Sequence, residues 1–226
     1  MEQSQNLPRH VLIIPDGNRR WVKEHGKPGS EGHLEGAKRF HEVSKAAFGM
    51  GIKHFTFWVA SGKNLAERSH YEIMVLLFIL RQELGKPDVL RDFLKNQTRF
   101  KVLGGWYEIL HEHHFGHLRE LLHLIRTLQE RTESFDQHFL TLLFGYTGKG
   151  EGLKAVRITL PPVDLMIRTA SCEEGPCWAH NSCGIVKILA DEGRLYSPPT
   201  LWPDFTADEF RKAIEEYSKV PRRHGA

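Results

Sequence analysis

The stretch HVLIIPDGNRRW, His10 to Trp21, decides how the rest of the chain is read. Five largely apolar residues, His10 to Ile14, stand in front of Pro15-Asp16-Gly17-Asn18, and two arginines, Arg19 and Arg20, come next. A short apolar run bounded by Pro and Gly reads as a buried strand, and the Pro15–Arg20 segment reads as a turn leading into a helix. In open parallel sheets, ligands bind beyond the carboxyl ends of the strands, where loops meet helix N-termini. Gly17 lets the backbone approach a ligand, free N–H groups at a helix start attract phosphate, and the two guanidinium groups suit phosphate oxygens. Asp16 is the odd member, because a carboxylate repels phosphate unless a divalent cation lies between them. That predicts Mg²⁺, a hard ion usually held by one or two carboxylates plus phosphate oxygens. The same residues also fit a plain type I turn in which Asp16 and Asn18 bond their own backbone. Neither the Walker pattern nor G-x-G-x-x-G is present in this stretch.

Outward from it, β-rich runs alternate with helical ones: HFTFWVA (54–60), RFKVLG (99–104), HFLTLLFGY (138–146) and VDLMIR (163–168). Strands separated by helices predict an α/β fold with a mainly parallel central sheet surrounded by helices. Phe40, Val43, Ala47 and Met50 recur at helical spacing, and Leu118, Leu121, Leu122, Ile125 and Leu128 do so more clearly. Thr206 and Glu209 form a capping-box signature ahead of a helix whose apolar face is Phe210, Ala213, Ile214 and Tyr217. The terminal PRRHGA reads as a frayed tail.

At 226 residues with 40% hydrophobic and 26% charged residues, and with no linker, the chain reads as one domain, 1–226. A net charge of only +3, without a long block of one sign, gives no reason to expect nucleic acid, and no nucleic-acid motif appears. The N-terminus lacks a signal pattern, and the longest apolar run, Ile73 to Leu80, is far short of the roughly 20 residues of a membrane span. No transmembrane segment and a cytoplasmic location are expected. Three crowded cysteines, Cys172, Cys177 and Cys183, do not make a secreted disulfide framework. With His180 they are zinc-ligand types, but their spacing matches no common finger, and reduced, unliganded thiols are the default.

The blocks HVLIIPDGNRRW, GHLEGAKRF (32–40), FTFWVASGKN (55–64), DLMIRT (164–169) and LWPDF (201–205), in this order, resemble the cis-prenyltransferase family, whose best-known members make undecaprenyl diphosphate. The resemblance implies a parallel sheet surrounded by helices, a homodimer, and the joining of prenyl diphosphates with Mg²⁺. It makes Asp16 the metal-linked catalytic aspartate, and it makes Gly17, Asn18, Arg19, Arg20 and Trp21 the substrate loop around the allylic diphosphate. His33 matches a histidine that contacts the same diphosphate, Ser61 and Asn64 match polar residues near the reacting carbons, and Arg168 matches an arginine that holds the second diphosphate. Taken singly, His33 also reads as an exposed loop histidine, Ser61 and Asn64 as backbone caps, and Arg168 as a surface ion pair.

The family pattern breaks after Thr169. Chain-elongating members continue with a Gly-Glu pair and Arg-x-Ser, which binds isopentenyl diphosphate, and later carry a glutamate that helps to hold Mg²⁺. Here residues 170–200 read ASCEEGPCWAHNSCGIVKILADEGRLYSPPT, with no Arg-x-Ser, and counting back from Trp202 puts Arg194 at the glutamate position. Arg194 is then either a new diphosphate contact or a surface arginine. GYTGKGEG (145–152) replaces a glycine-arginine segment, and Leu65 stands where a bulky aromatic is usual. This pattern resembles the branch that condenses two dimethylallyl diphosphate molecules head to middle, giving a branched or, with ring closure, cyclolavandulyl-type C10 diphosphate. Phe57, Trp58 and the Ile73–Leu80 segment are the expected apolar walls that keep water from the allylic cation. Ordinary head-to-tail synthesis with isopentenyl diphosphate stays open, as does a non-catalytic partner subunit, against which the intact Asp16–Arg20 loop and His33 argue.

Overall fold

The computed structural model describes residues 6–111, 118–146, 159–171 and 193–220. Six parallel strands, β1 (His10–Ile14), β2 (His54–Ser61), β3 (Thr98–Leu103), β4 (His138–Tyr146), β5 (Leu165–Arg168) and β6 (Arg194–Tyr196), lie in the order β3-β4-β2-β1-β5-β6. The described helices are α1 (Asn18–Glu24), α2 (Glu31–Gly49), α3 (Gly62–Glu67), α4 (His70–Leu84), α5 (Pro87–Lys95), α6 (Trp106–His111), α7 (Leu118–Thr132) and α8 (Ala207–Lys219). None of them is long and apolar enough to cross a membrane. β1 is flanked by β2 and β5 and all five of its residues are buried, which is why it reads as a continuous apolar run.

Side chains leave the strands alternately. Val11, Ile13, Phe55 and Ile167 enter the larger core with Val43, Leu77, Ile125 and Phe210 from the helices, while Leu12, Ile14, Trp58 and Met166 join Leu160 and Val163 in a smaller cluster. Phe57 and Trp58 therefore point to opposite faces of β2. Phe57 lies 5.3 Å from the Trp202 ring, whereas Trp58 meets Tyr146 edge-on at 5.6 Å, so these two expected wall residues stand on opposite faces of the sheet.

The helical spacings hold for α2 and α7, although Met50 lies one residue beyond α2 as its C-cap. The capping box at α8 is only half made. The Thr206 hydroxyl accepts from the Glu209 N–H at 3.2 Å, but the Glu209 carboxylate is taken by the Thr200 hydroxyl at 2.6 Å. A complete box forms instead at α4, between Ser69 and Glu72.

Burial disfavours the charged form of two histidines at the N-terminal edge of the sheet. His10 is fully buried; its Nδ1 faces the Pro161 carbonyl at 2.9 Å and its Nε2 the Thr56 hydroxyl at 2.8 Å, and burial lowers its pKa. Next to it, His54 stacks on Phe139 at 4.5 Å, and burial, then the charges of His10, Arg9 and Lys53, lower its pKa from 6.5 to about 4. A pKa lower in the folded than in the unfolded chain gives stability that is complete above the unfolded value and is lost as the pH falls toward the folded one. The thermal midpoint is expected to fall between about pH 6.5 and about pH 4, and His54→Gln to remove part of that slope in thermal unfolding across this range. An unchanged slope in the variant would take His54 out of the account.

Candidate active site

The sheet brings the C-terminal ends of β1, β2 and β5 together, and each carries part of the site. β1 runs through Pro15 into Asp16 and Gly17. Gly17 sits at φ +105°, and a Cβ there would stand 2.8 Å from Leu201 Cδ2 and 3.0 Å from Ala170 Cβ, so both the backbone and the packing require glycine. No side chain caps the first turn of α1, which begins at Asn18.

The Asp16 backbone is bound on both sides: its N–H donates to Thr169 Oγ1 at 2.9 Å, and its carbonyl accepts from the Thr169 hydroxyl at 2.8 Å and the Trp202 N–H at 3.0 Å. Its carboxylate accepts from the Gly17 N–H at 2.7 Å and from Arg168 Nη2 at 3.1 Å, and Arg20 Nη2 lies 3.7 Å away. Arg20 Nη2 also donates to the Ala170 carbonyl at 2.8 Å. The Arg168 side chain is only 18% exposed, so its pair with Asp16 is not a solvated surface contact.

α2 presses on this loop through two glycines. A Cβ on Gly32 would overlap the Asn18 carbonyl, and one on Gly36 would lie 2.7 Å from Asn18 Oδ1 and 2.9 Å from Trp202 Cδ1. The LWPDF segment threads between these helices. Trp202 Nε1 donates to the Gly36 carbonyl at 2.9 Å, Trp21 Nε1 donates to Asp204 at 2.8 Å, and Arg39 Nε donates to the Pro203 carbonyl at 3.1 Å. The buried Trp21 side chain thus packs inward and anchors α1, while Asn18 Oδ1 is buried with no hydrogen-bond partner.

A second basic group stands beside the loop. Arg19 lies 3.9 Å from Glu72 at the start of α4. Arg68, between α3 and α4, has a buried Nε without a partner; burial and then the charge of Arg19 lower its pKa. Burial, followed by the Arg68 charge, pushes His33 down from 6.5 to about 4, so it is neutral near pH 7. Burial pushes Glu72 upward, but the Ser69 N–H and hydroxyl, with Arg19 and Arg68, hold it below its usual value. Arg68 belongs to none of the motifs; its signal in the sequence is an arginine directly after the Ser61–Glu67 turn and helix. Thr169 and Trp202, by contrast, are legible only as motif members.

Ser61 and Asn64 form the complete capping box of α3: Ser61 Oγ accepts from the Asn64 N–H at 3.0 Å, and Asn64 Oδ1 accepts from the Ser61 N–H at 3.2 Å. Only their oxygens are used, which leaves the hydroxyl and amide donors outside the box. Leu65 is buried. Arg194 is not near the site. Parallel pairing sets it opposite Leu165, at the other end of the sheet from Arg168, where it donates to the Tyr217 carbonyl at 2.9 Å and the Val220 carbonyl at 3.0 Å at the end of α8. Counting along the chain cannot show this, because it ignores strand direction. Cys172, Cys177, His180 and Cys183, and residues 147–152, lie outside the described residues. An open hollow of about 420 Å³ lined by Arg81, Lys86 and Glu120 lies at the opposite end of α4 from Glu72.

Among the described residues no three potential metal ligands cluster. Asp16, with its side chain 42% exposed, is the carboxylate of the loop. A single carboxylate fits Mg²⁺ in company with a diphosphate, since this ion keeps few protein ligands and takes phosphate oxygens and water for the rest.

The chain matches the family model described as "Putative undecaprenyl diphosphate synthase" over residues 14–161. Isoprenyl transferases of Aquifex pyrophilus and Thermotoga maritima are 32% and 31% identical to it, over 98% and 97% of this chain and 97% of each relative. Dehydrodolichyl diphosphate synthase 3 of Arabidopsis thaliana is 28% identical over 99% of this chain and 78% of its own length. Among solved structures, lavandulyl diphosphate synthase from Lavandula x intermedia, in complex with dimethylallyl diphosphate, superposes with a TM-score of 0.77 at 22% identity, covering 96% of this chain and 97% of that one. The chain belongs to the undecaprenyl diphosphate synthase, or cis-prenyltransferase, family. It is a prenyltransferase of the prenyl diphosphate synthase type.

Gly36→Ala is expected to lower stability by about 1–3 kcal/mol through overpacking and to weaken binding of inorganic diphosphate. Gly49→Ala, on the same helix but with nothing within 4 Å of the added methyl, is expected to be neutral or to stabilise by up to about 1 kcal/mol. Thermal unfolding and titration calorimetry compare the two; equal effects would mean that the α2 contact does not shape the loop.

Proposed function

We propose that this prenyltransferase joins two dimethylallyl diphosphate molecules head to middle, releasing diphosphate and forming an irregular C10 diphosphate of the lavandulyl or cyclolavandulyl type. The observation that carries this reading is the rebuilt stretch after Thr169. It has no Arg-x-Ser, and Arg194, at the expected glutamate position, is tied to the end of α8 at the far end of the sheet. A site that lacks the isopentenyl clamp of elongating relatives is free to take a different acceptor. The working unit is taken as one domain, 1–226, with a cytoplasmic location, and as a homodimer on the family resemblance.

In this reading the donor diphosphate lies on the Gly17–Arg20 backbone, with Arg19, Arg20 and Arg68 drawing on the negative charge that builds as the C–O bond breaks. Placed donors of this kind are commonly the largest catalytic term. His33, being neutral, contributes a hydrogen bond and not a charge. Mg²⁺, when held by Asp16, supplies charge neutralisation on the leaving diphosphate. The electron pair of the C–O bond leaves with that diphosphate, and the internal alkene carbon of the second molecule attacks the allylic cation, leaving a tertiary cation. Loss of a proton gives the branched skeleton; proton transfer and ring closure give the cyclic one. The second diphosphate, bound by Arg168, takes the proton, with the unused Ser61 and Asn64 donors orienting it.

A second reading, head-to-tail condensation with isopentenyl diphosphate, is favoured by the 31–32% identity to isoprenyl transferases over nearly the whole chain. Incubation with Mg²⁺ and dimethylallyl diphosphate alone, and in parallel with isopentenyl diphosphate, followed by mass spectrometry of the dephosphorylated products, separates them. A branched or cyclic ten-carbon alcohol from the first tube is expected; product only in the second would establish ordinary elongation. Asp16→Ala is expected to lower kcat by roughly 10²–10³ with the fold retained. Arg168→Ala is expected to raise KM for the second substrate by roughly 10- to 100-fold, as for a lost charge-assisted hydrogen bond, and unchanged kinetics would make DLMIRT purely structural.

A further inference from the structure

We propose that Thr169 is a positioning residue whose hydroxyl sets the backbone of Asp16, and through it the direction of the carboxylate. The inference rests on the reading of Asp16 as the aspartate at the reacting diphosphate. The regular β1–β5 ladder ends at Ile14 opposite Arg168, with a last backbone bond from the Thr169 N–H to the Ile14 carbonyl at 3.3 Å. One residue further on, a side chain takes over the work of the ladder. A hydroxyl has one proton to donate and lone pairs to accept with. The Thr169 hydroxyl uses both on a single residue, accepting from the Asp16 N–H at 2.9 Å and donating to the Asp16 carbonyl at 2.8 Å. The peptide units on both sides of the Asp16 Cα are thereby pinned, and the carboxylate leaves from a fixed stem toward Arg168 and the Gly17 N–H.

Thr169 is fully buried, and the next residue, Ala170, turns the chain at φ +61° so that its carbonyl meets Arg20 at 2.8 Å. The same short corner thus orients the carboxylate through Thr169 and one flanking guanidinium through Ala170. Valine at position 169 matches threonine in shape but offers neither bond, so the Asp16 N–H loses its partner and the loop must shift to find another. Displacement of a reacting group by about 1 Å can cost about 100-fold in rate.

The test compares wild type with Thr169→Val, Thr169→Ser and Asp16→Ala. The readouts are kcat and KM on dimethylallyl diphosphate with and without isopentenyl diphosphate, affinity for inorganic diphosphate with Mg²⁺ by titration calorimetry, and the thermal midpoint. Thr169→Val is expected to lose roughly 10- to 100-fold in kcat per folded molecule and to bind diphosphate more weakly, and Thr169→Ser, which restores the hydroxyl, to recover kcat to within about threefold. If valine does not fold, Thr169→Ala, which also lacks the hydroxyl, carries the same expectation. Wild-type kcat in the hydroxyl-free variant, or equal loss in the serine variant, overturns the proposal. If Asp16→Ala itself turns over normally, the reading of Asp16 fails; if it is inactive while the hydroxyl-free variant is normal, only the positioning role falls.

Discussion

Everything in the site hangs on β1 pairing in parallel with β5, with Ile14 opposite Arg168. That register sets two residues more than 150 positions apart in the chain, Asp16 and Arg168, within 3.1 Å of each other. A slip of one residue would turn Arg168 to the other face of the sheet and replace it with Ile167, a core residue. The register is held by burial: Val11, Leu12, Ile13, Met166 and Ile167 are all fully enclosed, and a one-residue shift would exchange the large core for the small cluster along the shifted strand.

Around that pairing the loop is held by close packing and hydrogen bonds from α2 and LWPDF. Two glycines of α2 let a helix lie against the Asn18 backbone, and LWPDF fills the remaining space with a tryptophan that bonds both Asp16 and Gly36. Motifs that read as chemistry in the sequence therefore divide into two kinds. PDGNRR carries the groups proposed to meet a ligand, whereas Gly32, Gly36 and LWPDF fix where that loop stands.

The strands and the amphipathic helices are legible in the sequence because their periods are visible in a single chain. β4 spans the HFLTLLFGY run, and α7 carries the Leu118–Leu128 face. α4 does not declare itself as a helix because it is apolar on nearly all sides and shows no single stripe, although Ser69 and Glu72 mark its start. β6, three residues at a sheet edge, is too short to show alternation. In the site, Asp16, the two arginines after it and Arg168 are motif-bound and therefore legible. The buried Arg68 Nε, the Thr169 bonds and the displacement of Arg194 depend on which distant segments fold together, and no local pattern encodes that.

The ion pair between Arg168 and Asp16 also bears on the cost of binding. An arginine free in solvent samples many rotamers, and holding it against a ligand costs entropy on the order of 1 kcal/mol. Here that freedom is already spent against the protein's own carboxylate, in a side chain only 18% exposed. On the proposed reading of Arg168, an arriving diphosphate meets a guanidinium already ordered before the encounter, so the protein's folding, and not the ligand's binding, bears the ordering of that side chain.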